Sequence, residues 1–322
     1  MKIKFFYLLF LVPFAVNIFA QEPIRSENRI DSTDVNINSK NNSADSLDIT
    51  PRKSIAEKPK YLKPEYNLTW HDWLTNIPKD YAKFYDVATH TSLPVYFSIG
   101  ASTLGLIATD NRTWLTQHEW YNNSNFVKQT SDWFAKFGDG RSQFALTGVF
   151  VAYGLLFKDQ RALKTGSEIL QVTISSGAFV QVLKRLTGRE SPFVSTQPAG
   201  KWSFFGSPIK YQEHVAAHDA YPSGHLTTTL GMVVVIAENY PEWKWVKPLG
   251  YSICTLMAVS MVNNGIHWYS DYPLAIYLGY EFGKIVAHPE KYNSDSDSDD
   301  VSFNIMPYRS YNGTGLAMQL RF

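Results

Sequence analysis

Pro222-Ser223-Gly224-His225 stands directly ahead of an apolar run with the composition of a helix. A glycine in a tight turn lets backbone N–H groups approach an anion closely, and a helix N-terminus adds a favourable dipole. His225 would then sit beside that anion as a proton donor. Further along, His267 and Asp271 are four positions apart. On a helix that spacing puts both on one face, where the carboxylate can accept a hydrogen bond from one imidazole nitrogen. The contact fixes the tautomer and leaves the other nitrogen's lone pair free as a nucleophile. Lys184 follows the apolar segment 169–183, and Arg185 and Gly188-Arg189 come soon after it.

Each group taken alone also has a plain structural reading. Ser223 is a good helix N-cap, and His225 can be a satisfied core histidine. Asp271 can equally cap a helix whose first turn holds Pro273. Cations at 184 and 185 complement the negative end of a helix, as cations in a last turn commonly do.

Their order and internal spacing say more than any one of them. Lys184, then Pro222-Ser223-Gly224-His225, then His267 with Asp271 resembles the superfamily of type 2 phosphatidic acid phosphatases and vanadium haloperoxidases, which also includes soluble periplasmic class A acid phosphatases. That family's signature is a Lys followed after six residues by Arg-Pro, then Pro-Ser-Gly-His, then Ser-Arg, five residues, His, three residues and Asp. The resemblance implies an all-α helical bundle of the same kind. It implies that His267 attacks phosphorus and forms a phosphohistidine, with Asp271 orienting it. His225 would protonate the leaving alkoxide and then activate water. Lys184, Ser223 and Gly224 would hold the phosphoryl oxygens, with no cofactor and no metal ion, and the sequence offers no convincing metal cluster.

The match departs from the family in two places. Ser191-Pro192 stands where the family has Arg-Pro, and Met261 follows Ser260 where the family has Arg. Two phosphate-clamping guanidiniums are therefore missing. Ser191 can still donate a hydrogen bond, and Arg189, two residues earlier, is the nearest cation that could stand in as a phosphate ligand. The expected activity is hydrolysis of a phosphoric monoester, in the form of a phosphorylated small molecule or a lipid head group, lipid diphosphates included. The alternative is a catalytically degenerate envelope protein that keeps the fold and binds a phosphorylated lipid or sugar. A haloperoxidase ranks third, because holding vanadate would rely on the same missing cations.

The elements that must position these residues are helices. Apolar segments at 93–108, 142–157, 168–186, 225–239, 248–263 and 271–286 are separated by Gly, Pro and polar clusters, and strand alternation is nearly absent among them. Aromatic residues crowd the start of this domain, with Trp70, Trp73, Tyr81, Phe84 and Tyr85 on an opening amphipathic helix. The whole helical domain is expected over residues 61–288. Most of the uncharged runs fall short of the ~20 apolar residues that cross a bilayer. A soluble bundle is thus preferred, with a membrane-associated one second.

Both ends of the chain differ from this domain. Lys2 and Lys4 precede an apolar run at 5–19, a secretory signal over residues 1–20. Residues 21–60 are polar, without an apolar period, and read as a flexible linker. These features place the protein outside the cytoplasm, in the periplasm or envelope of a Gram-negative bacterium. Residues 289–300 form an acidic Ser/Asp spacer, and 301–322 a β-hairpin turning at Tyr311-Asn312-Gly313. With Lys plus Arg at 30 and Asp plus Glu at 29, no charge excess favours nucleic acid as a partner. The single cysteine, Cys254, cannot form an intrachain disulfide and reads as a buried, inert thiol.

Overall fold

The computed structural model describes residues 72–292, 302–310 and 313–321. The expected signal sequence, the linker and most of the acidic spacer lie outside these residues. Within them the chain forms α1 (Asp72–Thr75), α2 (Ile77–His90), α3 (Leu93–Asn123), α4 (Asn125–Ala135), α5 (Arg141–Phe157), α6 (Gln160–Thr187), α7 (Pro208–Glu213), α8 (Gly224–Asn239), α9 (Val246–Asn263) and α10 (Tyr272–Ala287). Strands β1 (Ser302–Ser310) and β2 (Gly313–Arg321) pair antiparallel, with Ser310 opposite Gly313 across the expected turn. The all-α expectation with a C-terminal hairpin therefore holds.

Capping chemistry sets several boundaries. Asp159 accepts the Ala162 N–H at 3.1 Å and starts α6 eight residues before the apolar segment begins at 168. The same helix ends at Gly188, whose left-handed backbone (φ 55°) returns its N–H to the Lys184 carbonyl. Helix α3 runs fifteen residues past the expected end at 108, because its polar half is anchored inward. There Gln117 donates to the Tyr269 hydroxyl, and His118 meets the Asn263 carbonyl. Helix α4, which the sequence pattern did not suggest, begins where the Ser124 side chain accepts the Val127 N–H. Residues 289–292, expected in the spacer, instead form a short 3₁₀ turn whose Pro289 carbonyl accepts from Lys83.

The centre of the bundle is α8, lying against α10 on one side and α6 on another. Small residues allow the closest crossing. A Cβ on Gly279 would lie 2.6 Å from the Thr227 carbonyl oxygen, and one on Gly283 would lie 2.7 Å from Val234. Helix α5 packs on α6, α9 on α8, and α4 on α9. Helix α2 closes the far side, with Phe84 stacked on Phe282 at 4.7 Å, as the aromatic opening segment predicted for that residue. Tyr85, by contrast, points outward and is 72% exposed. Burial of residues such as Ile169, Met257, Leu278 and Phe282 contributes roughly 1.5–3 kcal/mol for each large side chain. Cys254 lies in this core, where burial pushes its thiol up to about 12.

Candidate active site

Four helix ends bring the three motifs together. Lys184 comes from the last turn of α6, Ser223 to His225 from the start of α8, Met261 from the end of α9, and Asp271 from the start of α10. Backbone hydrogen bonds tie these segments to one another. The Ser223 N–H donates to the Asp271 carbonyl at 3.1 Å, and the Met261 carbonyl accepts from the N–H groups of Ile266 and His267. The extended stretch at 189–191 lies between two others: Glu190 N–H donates to the Lys201 carbonyl, and Ala220 N–H to the Arg189 carbonyl.

Nδ1 of His225 lies 2.9 Å from Nε2 of His267, and Nδ1 of His267 lies 3.3 Å from Oδ2 of Asp271. The His267–Asp271 pair does not share an α-helical face, which its spacing of four would allow. Trp268 is extended, and residues Tyr269–Asp271 form a single 3₁₀ turn. Asp271 closes that turn with its own side chain, Oδ2 accepting the Trp268 N–H at 2.8 Å. It makes no side-chain cap on α10, so the N-cap reading of this carboxylate does not apply. Ser223 does cap α8, accepting the Leu226 N–H at 3.3 Å.

Burial governs the charges here. It drives the His267 imidazole down to about 3, and the nearby Lys184 charge acts in the same direction. It also lowers His225 well below the ordinary histidine range, helped by His267 and Lys184. Both rings are therefore neutral at pH 7. If His267 carries its proton on Nδ1, toward Asp271, then Nε2 is a bare lone pair and the Nδ1–H of His225 caps it. Asp271 is pushed up to about 6 by burial, against the opposing pull of Arg189, and is ionised at neutral pH.

Lys184 is 3% exposed, and its ammonium lies 3.4 Å from Oδ2 of Asp219. A Cβ on Gly224 would come within 3.8 Å of the same nitrogen, so this cation overhangs the N-terminus of α8. An anion there would meet the ammonium and the helix dipole together. Asp219 is a site residue that its sequence context does not reveal, since a single acid in a polar loop carries no pattern. A shallow cleft beside α6, lined in part by Arg185, Ser203, Tyr211 and His218, does not include His225 or His267.

The two departures from the family pattern are both buried. Ser191 is 2% exposed and donates its N–H to the Ala216 carbonyl. Met261 is also 2% exposed, and its Cε would lie 2.9 Å from a Cβ on Gly138, where Met257 and His225 crowd the same spot. It forms an apolar wall beside His225.

Arg189 departs from its expected role as a phosphate ligand. It is fully buried, and all five of its N–H donors have acceptors within the protein. Nε and Nη2 donate to the Ala199 carbonyl at 3.2 and 2.7 Å, and Nη2 also reaches Asp110 at 2.9 Å. Nη1 donates to Ser270 at 2.6 Å and to Oδ1 of Asp271 at 2.5 Å. Trp202 and Trp268 flank the guanidinium at 4.8 and 5.4 Å. No donor remains for a phosphate, so the cation stands behind Asp271 rather than in front of His267.

Among the described residues, no three His, Cys, Asp or Glu side chains are grouped to hold a metal ion. No curated protein matches the chain. A solved structure, the crystal structure of the first transmembrane PAP2 type phosphatidylglycerolphosphate phosphatase from Bacillus subtilis, overlaps with a TM-score of 0.41 at 16% identity, covering 70% of this chain and 99% of that one. An overlap at that score adds nothing to the assignment. A sequence model of the PAP2 superfamily, however, matches residues 166–295, a span that contains Lys184, the Pro-Ser-Gly-His turn, His267 and Asp271. Over that span the chain is similar to the PAP2 superfamily.

Proposed function

We propose that the protein hydrolyses phosphoric monoesters through a phosphohistidine at His267. The observation that carries this reading is the alignment of Asp271, His267 and His225, at 3.3 and 2.9 Å, beside the ammonium of Lys184. A phosphoryl group entering the site would displace the bond between the two histidines. Nε2 of His267 would then attack phosphorus, and the ester P–O bond would break as the leaving oxygen takes a proton from His225. The negative charge of the bound phosphate favours the protonated form of His225, which burial alone disfavours. In the second half, water attacks phosphorus, gives its proton to His225, and the P–N bond breaks to release inorganic phosphate. Lys184, the Ser223 hydroxyl and the Gly224 N–H stabilise the oxygens throughout.

A phosphorylated lipid is the substrate class that a second observation favours. The outward side of α5 carries Phe144, Val149, Tyr153, Leu155 and Leu156, and that of α3 carries Leu93, Phe97 and Leu104, all at least half exposed. Water-facing helices normally turn charges outward, so these faces suit a lipid surface. Among the described residues no single helix is long and apolar enough to cross a membrane, and only α1–α2 with α3, bent by 94°, pass that test as a pair. The signal-like segment at 1–20 supports export to a Gram-negative cell envelope.

The test is phosphate release by the purified chain from a generic monoester and from lipid mono- and diphosphates, with EDTA present. His267→Ala and His225→Ala are the controls. Release dependent on both histidines supports the reading, and release no greater than that of the two variants on every substrate rejects it. Extraction of the protein from cells by detergent but not by salt would support the lipid-facing surface.

A further inference from the structure

We propose that Arg189 is a positioning residue for phosphoryl transfer at His267. Together with Asp110 it forms a buried carboxylate–guanidinium–carboxylate bridge, from the middle of α3 to the start of α10, that aims Asp271 at the nucleophile. The inference rests on the phosphatase reading, and it gives a function to a cation that cannot reach the substrate.

The bridge is built from both sides. Asp110, Arg189 and Asp271 are each at most 1% exposed, so no solvent screens them. Arg189 takes Oδ1 of Asp271, which leaves Oδ2 for the Trp268 N–H and Nδ1 of His267. Ser270 closes the array, accepting from Arg189 and donating through its hydroxyl to Asp110, while its N–H reaches the other Asp110 oxygen. The chain bends to supply the remaining acceptor. Ala199 adopts a left-handed backbone (φ 63°) that is costly for a residue with a Cβ, and its carbonyl receives two N–H groups from the guanidinium.

Sharing explains why two carboxylates are needed. A guanidinium paired with Asp271 alone would draw charge from the carboxylate and weaken its hold on the Nδ1–H of His267. Asp110 competes for the same cation, so Asp271 stays ionised but remains a strong acceptor. Removing Arg189 should therefore make Asp271 easier to protonate, and removing the charge of Asp110 should make it harder. The other groups that act electrostatically on Asp271 are Lys184 from α6, His267 itself, and Tyr221 and Tyr272, whose phenols burial keeps neutral.

The experiment uses the full chain, ¹⁵N-labelled in histidine, as wild type, Arg189→Lys and Asp110→Asn. Imidazole ¹⁵N shifts report the tautomer of His267 against pH, with assignment from His267→Ala, and kcat/KM is measured on the same samples. We expect the Nδ1–H tautomer in the wild type to persist down to a midpoint set by Asp271. That midpoint should rise by about one pH unit in Arg189→Lys and fall in Asp110→Asn, and the acid limb of kcat/KM should move with it, a unit corresponding to a tenfold change in the protonated fraction. A common midpoint in all three folded proteins overturns the proposal. Should Arg189→Lys fail to fold, Asp110→Asn still decides, because Asn keeps an oxygen acceptor for Arg189 and the expected displacement is downward. Phosphate release that does not depend on His267 sinks the phosphatase reading instead, while the tautomer data still judge the bridge.

Discussion

Nε2 of His267 is held 2.9 Å from Nδ1 of His225, so the nitrogen proposed to attack phosphorus rests against the group proposed to protonate the leaving oxygen. Both rings are neutral through burial, and one N–H lies between them. In the proposed mechanism a phosphoryl group has to part the two rings before Nε2 can reach phosphorus, and His225 becomes the acid once the bound phosphate favours its protonation.

This arrangement predicts a dependence on the leaving group. His225→Ala uncovers the nucleophile but removes the acid, so an alkyl phosphate should lose roughly 10²–10⁴-fold in kcat, the usual range for general acid–base catalysis. Nitrophenyl phosphate, whose leaving oxygen needs little protonation, should lose far less. His267→Ala should abolish turnover of both. Equal losses on the two substrates in His225→Ala would assign that residue to binding rather than proton transfer.

Lys184 carries a second prediction. With the two family guanidiniums absent, it is the cation nearest the N-terminus of α8, yet it is paired with Asp219 at 3.4 Å. The carboxylate has a quarter of its side chain exposed, and such pairs are worth ~0.2–1 kcal/mol. Asp219→Asn should therefore lower both KM and the inhibition constant for inorganic phosphate, by roughly two- to fivefold. Titration of the hydrolysis with phosphate measures it, and a weaker inhibition in the variant would mean that Asp219 helps to hold the substrate.

Much of the helical frame was legible because apolar stretches such as 142–157 and 248–263 carry no charged residue. The motifs were legible because their spacing is local. What escaped was held by contacts distant in sequence. Asp110 lies just past the expected helix end at 108, and nothing near it announces a partner 79 positions later. Arg189 reads as an available cation from its neighbours, and only the fold reveals four acceptors around it that take five hydrogen bonds. The His267–Asp271 spacing fits a helical turn, but Gly265, with φ 72°, breaks the chain away from α9 first, and the same pair meets through a 3₁₀ turn instead.

Met261 shows why restoring the family pattern will not restore its chemistry. Its side chain is walled in by Gly138, Met257 and His225. Met261→Arg would force a longer, charged group into that space, at a cost of about 1–3 kcal/mol from overpacking before any charge is counted. A lower Tm with no gain in kcat is expected. A faster enzyme with an unchanged Tm would show that the guanidinium escapes to the phosphate.

Acid stability offers a test of the burial of His267 that needs no substrate. An unfolded histidine takes its proton near pH 6.5, whereas burial holds His267 neutral down to about 3. Between those values the unfolded chain binds more protons at this position than the folded one, so stability rises with pH across the window. The contribution is complete above pH 6.5 and is lost as pH falls toward 3. Asp271, pushed up to about 6, and Asp80, pushed up to about 7, act in the opposite sense, because each binds a proton more readily when folded. The whole-protein curve is therefore a difference, and the His267 share must be isolated by comparison. Replacing His267 with Gln removes its titration and keeps a hydrogen-bonding group of similar reach. Urea unfolding from pH 7 to pH 4 should show the wild type losing stability more steeply than His267→Gln. Parallel curves would mean that His267 is already able to take up its proton in the folded protein, and the neutral resting pair of histidines would have to be abandoned.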